Sequence, residues 1–241
     1  MTFDPFGDFA TRGYLQNLEA EKDPEIVRRL EHFSFTSGLD EAFSHLAKKK
    51  HLSYDDVLKT HRILFEAFYP WAGQDRLENA PTLAIKKGNV FFARPEAIRR
   101  TIDYALQKGQ DKAFMVAKPG EIMGYLAYGH PFLDGNGRTI MVVHSVLAQR
   151  AGFSIDWAST NKTSYLDALS KEIEDPGKGL LDKYLKPFIS TEIAAEGLGA
   201  GIAAAPGLDG DSDTTVAGRT NDPALKARYE QQEIKRKQAQ E

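Results

Sequence analysis

Between two predicted helices the chain reads His130-Pro131-Phe132-Leu133-Asp134-Gly135-Asn136-Gly137-Arg138. On either side of this run, Pro119 to Gly129 and Gly137 to Ala151 carry apolar residues at helical spacing. Pro119 stands near one predicted N-terminus and Gly152 follows a predicted C-terminus, which supports both helices. The quoted run is therefore predicted to be a loop that leads directly into the N-terminus of a helix.

Helical spacing extends outward from this loop, from Glu25 to about Ser190, with little of the alternation expected of strands. Ser53 and Asp56 form the pattern of an N-cap with an acid three residues later. The sequence therefore predicts an all-α fold. The remaining predicted helices are Pro24 to Glu31, Leu39 to Lys49, Ser53 to Phe68, Pro95 to Lys108, Lys162 to Glu174 and Gly179 to Ile189.

One segment breaks the helical pattern. Two short apolar runs, Thr82 to Ile85 and Val90 to Ala93, flank the glycine-containing sequence Lys86 to Asn89, which predicts a β-hairpin. A two-stranded ribbon is only marginally stable on its own. We therefore expect the hairpin to pack on the helices through Phe91 or Phe92.

The predicted organisation is a helical extension over residues 1–51, a core domain over 52–190 and a tail over 191–241. After Ile189 the composition changes to Ala, Gly and short polar residues, including Gly210 to Asp213, which predicts a flexible segment. Pro223 to Glu241 is charged and lacks an apolar stripe. It is expected to be a solvated tail or a frayed helix.

Composition limits the functions open to the chain. Its 241 residues, 41% hydrophobic and 27% charged, are typical of a soluble globular protein. A formal net charge of -3 gives no field to steer it toward nucleic acid or an anionic membrane, so neither partner is expected. The chain has no cysteine, which excludes disulfides, thiolate zinc sites and cysteine nucleophiles. Met1 to Thr11 does not read as a signal peptide, and a cytoplasmic protein is expected.

The residue types in the loop suit an anion and a metal ion. A helix N-terminus offers unpaired N–H groups to phosphate, and Gly135 and Gly137 would let the backbone approach it closely. Asp134 is a hard oxygen ligand suited to Mg²⁺ that bridges phosphate oxygens. Asn136 can donate an amide hydrogen bond, and Arg138 can grip a terminal phosphate through its fork of donors.

Two further residues complete the loop. His130 can accept a proton from an attacking hydroxyl, and Phe132 is expected to anchor the loop in the core. Taken singly, each residue has a plain explanation, because a histidine before proline is commonly a packing residue and Asp-Gly is commonly a turn. Eight specified residues in nine positions at a predicted helix start make coincidence a poor explanation.

The run from His130 to Arg138 closely resembles the signature of the Fic (filamentation induced by cAMP) family, HPFx(D/E)GNGRxxR. Upstream, His61 to Phe65 and Tyr69 to Arg76 resemble the helix and loop of such proteins. The family's target-binding flap corresponds to Ile85, Lys86, Lys87, Gly88 and Asn89. The resemblance covers roughly Leu52 to Phe188 and implies a Fic-type helical bundle with a small β-hairpin flap over the active site.

This resemblance implies adenylylation, the transfer of AMP from ATP to a Ser, Thr or Tyr hydroxyl of a target protein. His130 would deprotonate the hydroxyl, Asp134 would hold Mg²⁺ between the α and β phosphates, and Arg138 would contact the β or γ phosphate. The phosphates would be cradled by Gly135, Asn136 and Gly137. The flap would hold the target segment by strand addition.

The sequence departs from the family pattern in two places. The second arginine of the signature is replaced by Met141, which puts the orientation of ATP in question. The family's inhibitory pattern, [S/T]xxxE[G/N], is matched only imperfectly by Ser37 to Glu41 and by Thr191 to Glu196. Without the second arginine the usual salt-bridge lock is not expected. This favours control by a separate antitoxin-like protein, or no such control.

Three functions are weighed. The leading hypothesis is a Fic-type protein adenylyltransferase, as a bacterial toxin or effector. The second is transfer of phosphate, another nucleotide or phosphocholine, although Gly137 argues against the kinase-like relatives, which carry lysine there. The third is a nucleotide-binding interaction module without activity, which is suggested by Met141.

Overall fold

A computed structural model describes residues 4–8, 10, 15–191, 197–208 and 214–240. Within these ranges helices dominate, and the predicted all-α class with a small β-hairpin is confirmed. No helix in this part of the chain is long and apolar enough to cross a membrane. The helices are α1 (Pro24–Ala47), α2 (Tyr54–Phe65), α3 (Arg76–Asn79), α4 (Ile98–Gly109), α5 (Lys112–Ala117), α6 (Pro119–Gly129), α7 (Asn136–Ala151), α8 (Lys162–Glu174), α9 (Leu180–Leu185), α10 (Leu198–Ala203) and α11 (Pro223–Gln240). The strands are β1 (Leu83–Lys87), β2 (Val90–Phe91), β3 (Ser154–Ile155), β4 (Ile189–Ser190) and β5 (Thr214–Arg219).

Helix ends with capping signals lie where the sequence predicts them. Ser53 and Asp56 form a capping box at the start of α2, and Pro119 occupies the first turn of α6. Gly152 ends α7 in the left-handed region, with a φ of 99°. These residues satisfy or replace the unpaired backbone groups of a helix end, so their positions are set by local chemistry.

The two helices predicted from Pro24 to Glu31 and from Leu39 to Lys49 are a single helix, α1. Gly38 lies inside it because α1 crosses α2 there, and a Cβ on Gly38 would lie 2.7 Å from the carbonyl oxygen of Ile63. One turn earlier, Ser34 is also buried against α2. The N-terminal helix and the core domain therefore share one hydrophobic core.

The central helix of the fold is α6. All its residues from Pro119 to Gly129 are buried, and α4, α7, α8 and α9 pack around it. The approach of α9 is so close that a Cβ on Gly120 would lie 2.3 Å from the backbone nitrogen of Asp182. This buried helix ends at His130. The first residue of the signature therefore lies at the margin of the core.

The predicted hairpin is confirmed and belongs to a larger sheet. β1 pairs antiparallel with β2, and Gly88 in the connecting turn has a φ of 54°. On its other side β1 pairs antiparallel with β5, so the strand order is β2-β1-β5. A second, two-stranded sheet joins β3 to β4.

The C-terminal residues differ from the expected flexible segment and solvated tail. In the described part of this region the chain forms α10, β5 and α11, and α11 buries Tyr229, Gln232 and Arg236 on one face. Two of these three side chains are polar, so no apolar stripe marks the packed face in the sequence. Gly210 to Asp213, also predicted to be flexible, lie outside the described residues.

Candidate functional site

A buried arginine holds the loop that follows α6. Arg76, at the start of α3, donates from Nε to the carbonyl oxygen of His130 at 2.8 Å and from Nη2 to that of Ala93 at 2.7 Å. Its backbone N–H donates to the carbonyl oxygen of Pro131 at 2.7 Å. Burial lowers the pKa of Arg76 only to about 10, so the guanidinium stays charged at neutral pH. These bonds support the turn at His130, whose φ of 43° is unusual for a residue with a side chain.

A buried histidine braces the same loop from the other side. Phe132 is fully buried and stacks on the ring of His61, with centroids 3.7 Å apart. His61 Nδ1 accepts a hydrogen bond from the Gly73 backbone at 2.9 Å. The ring proton is therefore on Nε2, which lies 3.1 Å from the carbonyl oxygen of Asp134. Burial lowers the pKa of His61 to about 3, so the ring stays neutral. Phe132 thus lies in the core, as expected of an anchor.

The end of the loop is shaped by Gly135 and Asn136. Gly135 has a φ of 72°, and a Cβ there would lie 2.5 Å from the ring of Phe65, so only glycine fits. Asn136 accepts from the Phe132 backbone N–H and donates to the Phe132 carbonyl oxygen, both at 2.8 Å. The amide predicted to cradle phosphate is therefore engaged within the loop. A Cβ on Gly137 would meet nothing within 4 Å, so the first turn of α7 borders open space.

The imidazole of His130 stacks on Phe92, with centroids 3.8 Å apart, and is only 6% exposed. Its Nε2 is buried and has no hydrogen-bond partner among the described residues. Burial lowers its pKa well below the usual value, and the charges of Lys87 and Arg76 act in the same direction. The ring is therefore neutral at physiological pH. A neutral nitrogen without a partner offers a position for a hydroxyl donor.

Asp134 is the carboxylate of the loop and the predicted metal ligand. Its side chain is 13% exposed, and Oδ1 accepts from the Gly135 backbone at 2.7 Å. The described residues contain no group of three or more His, Cys, Asp or Glu that could hold a metal ion. One carboxylate fits Mg²⁺, which takes few protein ligands and completes its shell with phosphate and water, better than zinc, which needs three or four.

Arg138, predicted to contact a phosphate, is paired with a carboxylate of α1. Its Nη2 lies 2.7 Å from Glu31 Oε1, and both side chains are nearly buried. Asp134 lies further away, at 3.9 Å from the same nitrogen. The guanidinium also lies over the ring of Phe65, 4.9 Å from its centroid. The Arg138 side chain thus lies at the start of α7, where the carboxylate of Glu31 is its ion-pair partner.

The sequence does not point to Glu31. The imperfect inhibitory pattern has its acid at Glu41, which is exposed, and no salt-bridge lock is expected from the sequence. A salt bridge nevertheless forms between Glu31 and Arg138, and not at the position of Met141, which is buried. Of the alternative Thr191 to Glu196, all but the first residue lie outside the described ranges. Burial raises the pKa of Glu31 to about 7 against the pull of Arg138. Burial acts to lower the pKa of Arg138, but the charges of Glu31 and Asp134 raise it.

The predicted flap residues lie on β1 and its turn: Ile85, Lys86, Lys87, Gly88 and Asn89. Ile85 is fully buried in the main core, whereas Lys86 lies over the ring of Phe91, with Nζ 6.0 Å from its centroid. Lys87 is close enough to His130 for its charge to lower the pKa of that ring. The hairpin therefore lies beside the signature loop, as expected of a flap.

Together these elements define a helical domain with one candidate site, located where the buried central helix ends, the next helix begins and a hairpin packs alongside. Residues 51–148 match the model of the Fic/DOC family.

Two curated relatives are similar over 64% of this chain. "Protein adenylyltransferase VbhT" of Bartonella schoenbuchensis is 32% identical over 163 residues, and the match spans only 32% of its length. "Probable protein adenylyltransferase y4lH" of Sinorhizobium fredii is 29% identical over 164 residues, 81% of its length. Among solved structures, one similar chain is the N-terminal Fic domain of a putative cell filamentation protein from Bartonella quintana, with bound ADP. The TM-score is 0.61 and the identity is 21%, and the match covers 76% of this chain and 93% of that one. It confirms the fold.

Proposed function

We propose that this chain is a protein adenylyltransferase that moves AMP from ATP to a Ser, Thr or Tyr hydroxyl of a target protein in the cytoplasm, as a bacterial toxin or effector. The observation that carries the proposal is the neutral imidazole of His130, with an unpartnered Nε2, beside the N-terminus of α7. The activity in the names of the two relatives supports it.

His130 acts as the general base. Its Nε2 takes the proton of the acceptor hydroxyl as that oxygen attacks the α-phosphorus and pyrophosphate leaves. Because the ring is already neutral, no proton has to be removed from it first. The bond from Arg76 to the His130 carbonyl holds the backbone in place, which favours a preset geometry for the attack.

The triphosphate binds at the N-terminus of α7, where Gly137 borders open space and the helix dipole favours an anion. Arg138 contacts the β or γ phosphate once its salt bridge with Glu31 has broken. Asn136 contributes by shaping the loop, because its amide is bonded to Phe132. Asp134 would hold Mg²⁺, which would supply positive charge to the phosphates.

The target protein is held by the flap, from Ile85 to Asn89, through main-chain hydrogen bonds to β1 that replace those of β5, which occupies this edge of β1 in the structure. This mode fixes the register of an extended segment and tolerates varied sequence. A separate antitoxin-like protein is the proposed partner that controls the activity. The salt bridge between Glu31 and Arg138 lies within the chain and is distinct from this partner. Nucleic acid and membranes are not proposed as partners, because the net charge is only -3.

The test is transfer from ATP labelled separately at the α and γ phosphates. Purified chain is incubated with Mg²⁺, each labelled ATP and a cell lysate as the source of targets, and modified proteins are analysed by mass spectrometry. We expect protein-bound α label, and we expect it to disappear with His130→Ala but not with His51→Ala, which removes an exposed histidine.

The other outcomes identify the competing functions. Transfer of the γ label alone would indicate a phosphotransferase. Absence of protein label with any nucleotide, while ATP still binds, would indicate a nucleotide-binding module.

A further inference from the structure

Phe92, the residue that follows β2, lies flat against the imidazole of His130. The two ring centroids are 3.8 Å apart, and the ring planes are inclined to each other by only 16°. Phe92 is 4% exposed and belongs to the main hydrophobic core. A stack of this kind contacts the face of the imidazole, whereas both nitrogens lie on its edge. Phe92 therefore covers the ring without using the hydrogen-bonding capacity of Nε2, which has no partner among the described residues.

The backbones of the two stacked residues are tied to each other. Arg76 donates to the carbonyl oxygen of His130 at 2.8 Å and to that of Ala93 at 2.7 Å, so one guanidinium joins the two segments. The N–H of Ala93 donates to the carbonyl oxygen of Tyr128, in the last turn of α6, at 2.9 Å. Because Ala93 directly follows Phe92, these bonds fix the stacking ring against the end of α6.

The stack limits the rotation of the imidazole. With no partner at Nε2 among the described residues, no hydrogen bond at that atom holds the ring at one angle about its Cβ–Cγ bond. The intrinsic preference about this bond is broad, so neighbouring atoms decide the angle. A turned imidazole would lose its flat contact with Phe92. Since a general base must lie within hydrogen-bond reach of the proton it takes, the angle of the ring affects the rate of transfer.

The same contact keeps water away from the base. Burial lowers the pKa of His130 well below its ordinary value, and the charges of Lys87 on β1 and Arg76 on α3 act in the same direction. Phe92 contributes to that burial because its ring covers one face of the imidazole. A side chain that covers less of this face would admit water, and the pKa of His130 would then rise toward its ordinary value.

The C-terminal helix α11 holds β2 from the opposite side of the sheet. Successive residues of a strand point to opposite faces, and Phe91 packs edge-on against Tyr229 of α11, with centroids 6.3 Å apart. Gln232 donates to the carbonyl oxygen of Phe91 at 3.3 Å, and Arg228 donates to that of Asn89 at 2.8 Å. The strand is therefore held at both ends, directly before the residue that stacks on the base.

α11 is itself anchored to the rest of the domain. The nearly buried Arg236 donates to the carbonyl oxygen of Ile173 at 2.6 Å, which ties the helix to α8. Ala217 of β5 and Leu225 of α11 pack in one small apolar cluster, which joins the helix to the sheet. This helix lies outside residues 51–148, the part of the chain that matches the family model.

We propose that Phe92 is a positioning residue for His130 and that α11 keeps it in place through β2. Phe92 orients the imidazole and shields it from water, so that Nε2 is aimed at the acceptor hydroxyl. This inference rests on the proposed adenylyl transfer. It adds a residue that acts through the base and a C-terminal helix on which the base depends.

The first test replaces the stacking ring. The rate of transfer of α-labelled AMP to lysate protein is measured over a series of ATP concentrations. Phe92→Leu keeps an apolar side chain of comparable size but removes the flat ring, and we expect kcat to fall by about tenfold or more. The KM for ATP should stay within about twofold, because the loss is in alignment of the base and not in nucleotide binding.

Two variants control this measurement. Phe92→Tyr keeps the flat ring and should keep kcat within about threefold of the wild type. Phe153→Leu removes a core ring with the same exposure, 4%, away from the base and should keep kcat within about twofold. If circular dichroism shows that Phe92→Leu is unfolded, Phe92→Met takes its place, because methionine adapts to the space without a flat ring.

Two kinetic outcomes would overturn the inference. One is a kcat for the folded Phe92→Leu or Phe92→Met chain within about twofold of the wild type. The other is a loss in Phe92→Tyr as large as in Phe92→Leu, because the flat ring would then have no part in the effect.

The second test measures the pKa of His130 itself, which a purely structural role of Phe92 would not change. The imidazole Cε1 proton is followed by NMR titration and is assigned by its absence from the spectrum of His130→Ala. We expect a higher pKa in Phe92→Leu than in the wild type and no change in Phe153→Leu, because only the first substitution uncovers the imidazole. The acidic limb of the pH–rate profile should move to higher pH in the same variant. An unchanged pKa in Phe92→Leu would overturn the inference.

The third test addresses α11. Gln232→Met removes the hydrogen bond to the Phe91 carbonyl oxygen, whereas Gln231→Met changes the exposed neighbour on the same helix. We expect kcat to fall by about threefold or more in Gln232→Met, at an unchanged KM for ATP, and to stay within about twofold in Gln231→Met. Equal kcat values in the two variants would overturn the role of α11.

These measurements separate the inference from the proposed function. Label transfer by the wild type with an unchanged kcat in Phe92→Leu would overturn the inference alone. Absence of label on any protein with the wild type, together with a raised pKa of His130 in Phe92→Leu, would overturn the adenylyl transfer and leave the placement of the imidazole by Phe92 standing.

Discussion

Glu31→Gln removes a buried carboxylate while keeping its shape, and we expect the variant to be more stable than the wild type above neutral pH. Burial raises the pKa of Glu31 from 4.5 to about 7, so folding favours the protonated form. The stability from this group is fully present below pH 4.5 and is lost as the pH rises through about 7. Glutamine has no such proton, so its contribution does not change with pH.

The size of the effect follows from the same shift. The interval from 4.5 to about 7, at ~1.4 kcal/mol per pKa unit, sets an upper limit of ~3 kcal/mol. Between about pH 5 and about pH 8 we expect the wild type to lose ~2 kcal/mol relative to the variant. Urea denaturation followed by circular dichroism measures both free energies of unfolding. Glu41→Gln removes an exposed carboxylate from the same helix and should leave the pH dependence unchanged.

A less stable Glu31→Gln at about pH 8 would refute this reasoning, because the attraction between Glu31 and Arg138 would then outweigh the cost of burying the carboxylate. The same variant tests the site. Freeing Arg138 from its partner should strengthen ATP binding by about tenfold, and calorimetry measures this. Unchanged or weaker binding would show that Glu31 and the phosphates do not compete for Arg138.

Three further substitutions test the loop and the C-terminal helix. Gly135→Ala should cost ~2–3 kcal/mol of unfolding free energy, because its Cβ would lie 2.5 Å from the Phe65 ring at a positive φ. Gly137→Ala is the control and should not destabilise the fold, because its Cβ would meet nothing within 4 Å. Asn136→Ala removes both bonds across the loop and should cost ~2 kcal/mol in urea denaturation; no change would contradict its bracing role. Arg236→Met removes a nearly buried hydrogen-bond donor that holds α11 against α8. Hydrogen exchange of the β5 amides should then become faster. Unchanged protection would show that α11 does not hold the strand.

Local chemistry explains which elements could be predicted from the sequence. The capping box at Ser53 and the glycine at Gly152 act within a few residues, so these helix ends can be read without the rest of the chain. The hairpin was readable for the same reason, through Gly88. The continuity of α1 could not be predicted, because the place of Gly38 inside it depends on the crossing with α2, which is a tertiary contact.

The residues of the candidate site also differ in whether the sequence alone could predict them. The signature loop could be predicted because its residues are consecutive, from His130 to Arg138. Glu31 could not, since a single acid on a long helix carries no signal until folding buries it against Arg138. The packing of α11 could not be predicted because its buried face includes Gln232 and Arg236, which in sequence look like a solvated surface.

The bracing of the signature loop has a practical consequence for structural work. The backbone path from His130 onward is held by Arg76, His61 and Asn136, and the imidazole of His130 takes no part in these bonds. A chemically silent His130→Ala chain should therefore keep the shape of the native loop. Such a chain is suited to capturing uncleaved ATP and an acceptor peptide together in one crystal.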